Sequence, residues 1–125
     1  MRFIIALGLM LSLAVTAVAQ HNHAAQKGPN GGPVEDVAGV HLEFVSSGTT
    51  VTFYVLDESN KPTSAKGITA SALVVAGADR ETVTLTVEGE NALKGELKKP
   101  IAANATISVT LKTPSGKSGQ ARFKK

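Results

Sequence analysis

No cysteine occurs in the 125 residues, and both methionines, Met1 and Met10, fall within the first ten positions. A disulfide framework is therefore excluded, so a domain built from this chain must rely on an ordinary apolar core. Thiolate and thioether metal centres are excluded beyond Met10. A transition-metal site there has only imidazole, carboxylate, backbone amide or a terminal amine to draw on, a donor set that favours Cu(II), Zn(II), Ni(II) or Co(II) over Cu(I). Tryptophan is also absent and aromatics make up only 4% of the chain. The cations that cluster late, Lys94, Lys98, Lys99, Lys112, Lys117, Arg122, Lys124 and Lys125, thus have no stacking platform, and they do not read as a nucleic-acid surface. A formal net charge of +3 is too small to define a partner. It fits a solvated face and a basic tail with weak attraction for anionic envelope lipid or polysaccharide.

Only one long apolar run is present. Met1-Arg2 gives a short cationic start, Phe3 to Val18 is almost unbroken apolar sequence, and Ala17-Val18-Ala19 is a small-x-small site. This is the pattern of a secretory signal peptide over residues 1–19. A retained N-terminal anchor is the alternative reading. Processing after Ala19 predicts an exported, periplasmic protein with no membrane span, of the usual size for one domain.

From Gln20 to Pro33 the sequence has no apolar periodicity and is dense in turn formers. It reads as a flexible His- and Gly-rich arm. From Val34 to Lys125 short alternating runs are punctuated by Gly, Pro, Asn and Asp, the pattern of an all-β domain. The clearest element is a hairpin over Val40 to Leu56, with Val40, Leu42, Phe44, Val51, Phe53 and Val55 on the core face and His41, Glu43, Thr52 and Tyr54 on the other. Further strands are expected over Ile68 to Val75, over Thr82 to Val87 with Val83, Leu85 and Val87 buried, over Thr106 to Lys112, and over Gln120 to Phe123. The short stretch Ala70 to Leu73 is ambiguous with helix on propensity alone. About seven strands in this length predict a single immunoglobulin-like antiparallel β-sandwich with Greek-key connections, without the Cys-Trp-Cys and tyrosine-corner hallmarks.

The three histidines, His21, His23 and His41, lie close together in the sequence. His41 and Glu43, two apart on a strand, project from one face and form half of a candidate metal site, or else an exposed polar face. Cleavage after Ala19 would set His21 second in the processed chain, where its imidazole and the terminal amine can chelate Cu(II) or Ni(II) with His23 adding a nitrogen; the bland reading is a polar tail. The Gly28 to Pro33 stretch is no phosphate loop, and its glycines serve tight turns. No Gly-x-Ser-x-Gly is present, and Glu35-Asp36 and Asp57-Glu58 read as solvated acids in turns, so no enzymatic activity is expected.

Taken together, Gly31-Gly32, the run Gly39-Val40-His41-Leu42-Glu43-Phe44-Val45, Leu56-Asp57, Lys61-Pro62 and Gln120-Ala121-Arg122-Phe123 form a wider pattern. It resembles a group of small exported bacterial proteins, and a periplasmic segment of the adaptor (membrane-fusion) subunits of heavy-metal efflux pumps. The resemblance implies a periplasmic location, a β-rich fold and metal handling, with His41 and Glu43 carried over as ligands. The related pattern has His immediately before Gly-Gly, where this chain has Asn30, a much poorer ligand. That departure shifts the metal to His21 or His23, or removes the site. The function expected is a periplasmic divalent-metal-binding protein, a buffer or delivery partner for an efflux-pump component, binding Cu(II) or Zn(II) through His21, His23, His41 and Glu43. The rival is an envelope interaction module that uses a sheet edge, with the histidines incidental.

Overall fold

The computed structural model describes residues 26–125, and every regular element among them is a β-strand. Among these residues no helix is long and apolar enough to cross a membrane. The expected signal peptide, and the arm as far as residue 25 with His21 and His23, lie outside the described residues.

β1 (Val34–Val37), β2 (Val40–Ser47) and β3 (Thr50–Leu56) form a meander, β4 (Thr69–Ala76) and β5 (Asp79–Glu88) a hairpin, and β6 (Ala92–Glu96), β7 (Thr106–Lys112) and β8 (Ser118–Lys124) complete the set. The ambiguous Ala70 to Leu73 stretch is strand. All pairings are antiparallel, and the eight strands follow the order β1-β2-β3-β6-β5-β4-β7-β8. β5 is the joint. Its residues from Asp79 to Leu85 pair with β4, and Thr86 to Glu88 pair with β6. The twisted sheet curls until β1 meets β8, where a Cβ on Gly119 would stand 3.1 Å from the Ala38 nitrogen and the Val37 side chain. The all-β antiparallel class is as expected. In place of about seven strands in an immunoglobulin-like sandwich there is one nearly closed, barrel-like sheet, because the ten-residue β5 is long enough to serve both halves.

The interior is filled from both halves. Leu42, Phe44, Val51, Phe53 and Val55 of the first hairpin are buried, as are Ile107, Val109, Leu111 and Phe123. Phe44, Phe53 and Phe123 form a tilted aromatic trio with ring centroids 5.2 to 5.6 Å apart, so the last strand is fixed to the first hairpin by contacts remote in sequence. Val40 is only half-buried, at the margin of the core. Val87, expected inside, is 43% exposed, because β5 has by then left β4 and runs out along the short β6.

Residues 26–33 were expected to belong to the flexible arm. From Gln26 the chain is part of the domain: Lys27 bridges Pro33, the Val34 amide donates to the Gln26 carbonyl at 2.9 Å, and the Phe44 amide donates to the Pro33 carbonyl at 3.0 Å, extending the β1-β2 ladder backwards. Ala38 (φ 50°) and Gly39 (φ 83°) make the two-residue turn between β1 and β2. Two positive-φ residues in a row match the right-handed twist of the flanking strands.

The outer faces of the two halves differ. On β5-β4-β7-β8 the inward side is Ala70, Ala72 and Val74 with Ile107, Val109 and Leu111. The outward side shows one cross-strand row of Thr84, Ser71, Thr110 and Gln120, and a second of Thr82, Leu73, Ser108 and Arg122. Arg80, Val75, Thr106 and Lys124 form a third. On the β1-β2-β3-β6 half, by contrast, Glu43 and Leu56 face outward yet are wholly buried.

Candidate functional site

Glu43 is buried because residues 26–33 close over it. Its Oε2 accepts from the backbone amides of Asn30 and Gly32, each at 2.8 Å, and its Oε1 accepts from the Asn30 side-chain amide at 3.0 Å. The loop holds itself in shape through Gly28 and Gly32, whose amide and carbonyl bond at 2.8 Å, and through the Gly31 amide on the Gly28 carbonyl at 3.0 Å. Its glycines are needed for proximity. A Cβ on Gly28 would strike the Glu43 carboxylate, and one on Gly32 would strike the Phe44 carbonyl oxygen. Both carboxylate oxygens are thus taken by the loop, which gives Glu43 a structural task on this face: burying a carboxylate is tolerable only when its lone pairs are satisfied. Asn30, at the position where the resembling pattern has histidine, is one of the donors.

His41 lies one step along the same face. The two-residue turn fixes the register so that Asp36 of β1 stands directly opposite it, and Nε2 lies 2.7 Å from the Asp36 carboxylate. On the other side of the ring, Nδ1 lies 2.7 Å from Oδ1 of Asn60. Asn60 is held by a tight turn: its φ is 60°, its amide donates to the Asp57 carbonyl at 2.9 Å, and the Asp57 carboxylate accepts from the Ser59 and Lys61 amides. The Asn60 side-chain amide in turn faces Oε1 of Gln26 at 3.5 Å. The His41 side chain is 19% exposed and that of Asp36 is 85% exposed, so the ring is largely covered while its carboxylate partner stands in solvent.

The four expected ligands therefore do not form one cluster in the described region. His21 and His23 lie outside it, Glu43 is turned to the loop, and His41 is paired with Asp36 and Asn60. Among the described residues no three His, Cys, Asp or Glu side chains stand close enough to hold a metal ion. Asp36 and Asn60 were both missed in the sequence, Asp36 having been read as a solvated turn acid. Hairpin arithmetic would have found it, because a turn at Ala38-Gly39 necessarily sets residue 36 against residue 41. No sequence signal marks Asn60, which arrives through a separate turn.

No family model, curated protein or solved structure matches this chain.

Proposed function

We propose that this chain is an exported, periplasmic protein that binds a divalent transition metal, Cu(II) or Zn(II), at the root of its histidine-bearing arm, and that it buffers or delivers the metal to an efflux component. The observation that carries the reading is the chain Gln26, Asn60, His41, Asp36, in which the residue where the arm enters the domain adjoins a histidine already oriented on both sides. Covalent reach does the rest. His23 is three residues and His21 five residues before Gln26, so fully extended chain carries them at most about 10 and 17 Å.

The chemistry around the His41 ring suits a cation. Two acceptor oxygens flank the imidazole, so its ring is fully satisfied when both nitrogens carry hydrogen. A metal ion that replaces the Nε2 proton meets the same carboxylate, while Nδ1–H stays on the Asn60 oxygen and fixes the ring, the usual support of a ligating histidine. Nitrogens from His21 and His23 would complete the donor set. In this reading Asp36 supplies the carboxylate that the resemblance assigned to Glu43, and Glu43 holds the loop that brings the arm to His41.

Calorimetric titration of the processed protein with Cu(II) and with Zn(II) tests this. One ion per chain is expected, with affinity at least about tenfold weaker in His41→Ala, in Asp36→Asn and in a His21→Gln, His23→Gln double variant. Binding that survives His41→Ala and disappears with the arm histidines would reduce the site to a terminal chelate, and no binding of either ion would end the metal reading.

A further inference from the structure

We propose that the outer face of the β5-β4-β7-β8 half, which none of the described residues covers, is a docking surface for an acidic polysaccharide, a polymer bearing hydroxyls and carboxylates or phosphates. This is independent of the metal site, which lies on the other half of the sheet.

The first observation is charge. Arg80, Lys112, Arg122 and Lys124 are exposed on this face, and Glu88, at the far end of β5, is the one acidic residue of its four strands with the outward parity. All acidic residues of the chain precede Leu97, whereas β7 and β8 carry only cations. Asp79 and Glu81 of β5 have the opposite parity and alternate to its inward side, where the Glu81 carboxylate is taken by the Lys98 amide at 2.8 Å. Glu88 lies beyond the stretch of β5 that pairs with β4, beside β6, where it stands 3.3 Å from the Lys94 ammonium. From Arg80 to Thr84 on β5, and across β4, β7 and β8, the outward face therefore carries positive charge alone.

The second observation is what stands between the cations. Thr82, Thr84 and Thr110 are exposed, and Ser71, Thr106 and Ser108 are half-buried beside them. The result is a regular array of groups that both donate and accept hydrogen bonds. Strand spacing and pleat set its extent at about 14 by 20 Å, room for several sugar units. Each strand is hydrogen-bonded to its neighbours and the hydroxyl side chains are short, so little freedom is lost in ordering them against a ligand.

The third observation is what the face lacks. It carries no aromatic ring, and its apolar members Leu73 and Val75 are half-buried within the array and do not protrude. Membrane-interface binding relies on inserted apolar and aromatic side chains, and single-stranded nucleic acid on stacked bases. A hydroxyl-rich polyanion needs neither. It requires cations spaced along a flat polar surface.

Binding of the processed protein to polygalacturonate is the test, with dextran as the neutral polymer and phosphatidylglycerol–phosphatidylcholine vesicles as the membrane arm. We expect binding to polygalacturonate and not to dextran, weakened about tenfold or more when salt rises from about 20 to about 200 mM. An Arg122→Glu, Lys124→Glu variant should lose at least about tenfold, while Lys61→Glu, Lys66→Glu on other surface should stay within about twofold. All four positions are exposed, so unchanged thermal melting controls for folding. Absence of polygalacturonate binding, equal loss in both double variants, or tighter binding to the vesicles would each overturn the proposal.

Discussion

Glu43 and Thr84 occupy equivalent positions by pattern: each is a polar residue alternating with core residues on a strand, directed away from the interior. Glu43 has no exposed surface, whereas Thr84 is open to solvent. The difference lies in what covers them. On the β1-β2-β3-β6 half, residues 26–33 fold back over the sheet and the carboxylate becomes the anchor of the covering loop, with Leu56 buried nearby on the same outer face. On the β5-β4-β7-β8 half nothing in the described chain returns, and the face stays hydroxylated and cationic. Strand alternation thus says which side of a sheet is outward, and it does not say whether outward means wet.

Removing the anchor breaks the comparison most directly. Glu43→Ala leaves two backbone amides and the Asn30 side chain without their acceptor, so a loss of about 3 kcal/mol is expected in denaturant unfolding, together with proteolytic access near Gln26. Stability within about 0.5 kcal/mol of the parent would show that the loop is held by something else. Gly32→Ala comes next, at about 2 kcal/mol, because its Cβ meets a backbone oxygen of β2 that cannot rotate away. Combined with Glu43→Ala it should cost clearly less than the sum, since both changes release the same loop; strict additivity in the double-mutant cycle would refute their coupling. Smaller still, Ala38→Gly should raise stability by about 0.5–1 kcal/mol, because alanine sits at a φ of 50° that glycine adopts without strain. A melting temperature that falls would contradict the turn geometry. At the bottom of the series, Thr84→Val on the bare half should change unfolding free energy by no more than about 0.5 kcal/mol.

The core of the first hairpin was readable residue by residue, because Leu42, Phe44, Val51, Phe53 and Val55 alternate without interruption and period-two burial has one solution. β7 and β8 were readable for the same reason. β1 was not, since Val34-Glu35-Asp36-Val37 does not alternate and is a strand only because Ala38-Gly39 turns it back onto β2. Val87 was misplaced because alternation cannot register that β5 changes partners after Leu85. At the candidate site, His41 was visible as an isolated chemical group and Asp36 follows from the Ala38-Gly39 hairpin register, whereas Asn60 comes from a separate turn whose packing against the ring no local pattern gives.

The amino-acid sequence alone determined the donor chemistry open to this protein, the all-β class and the hydrophobic faces of its longest strands, because these follow from residue type and a local period of two. The tertiary structure decided that one sheet curls nearly closed, that the loop before β1 buries Glu43, and that His41 meets Asn60 beside Gln26. Those outcomes depend on pairings between distant strands and on whether another segment returns to cover a face, and neither is encoded in any short window of residues.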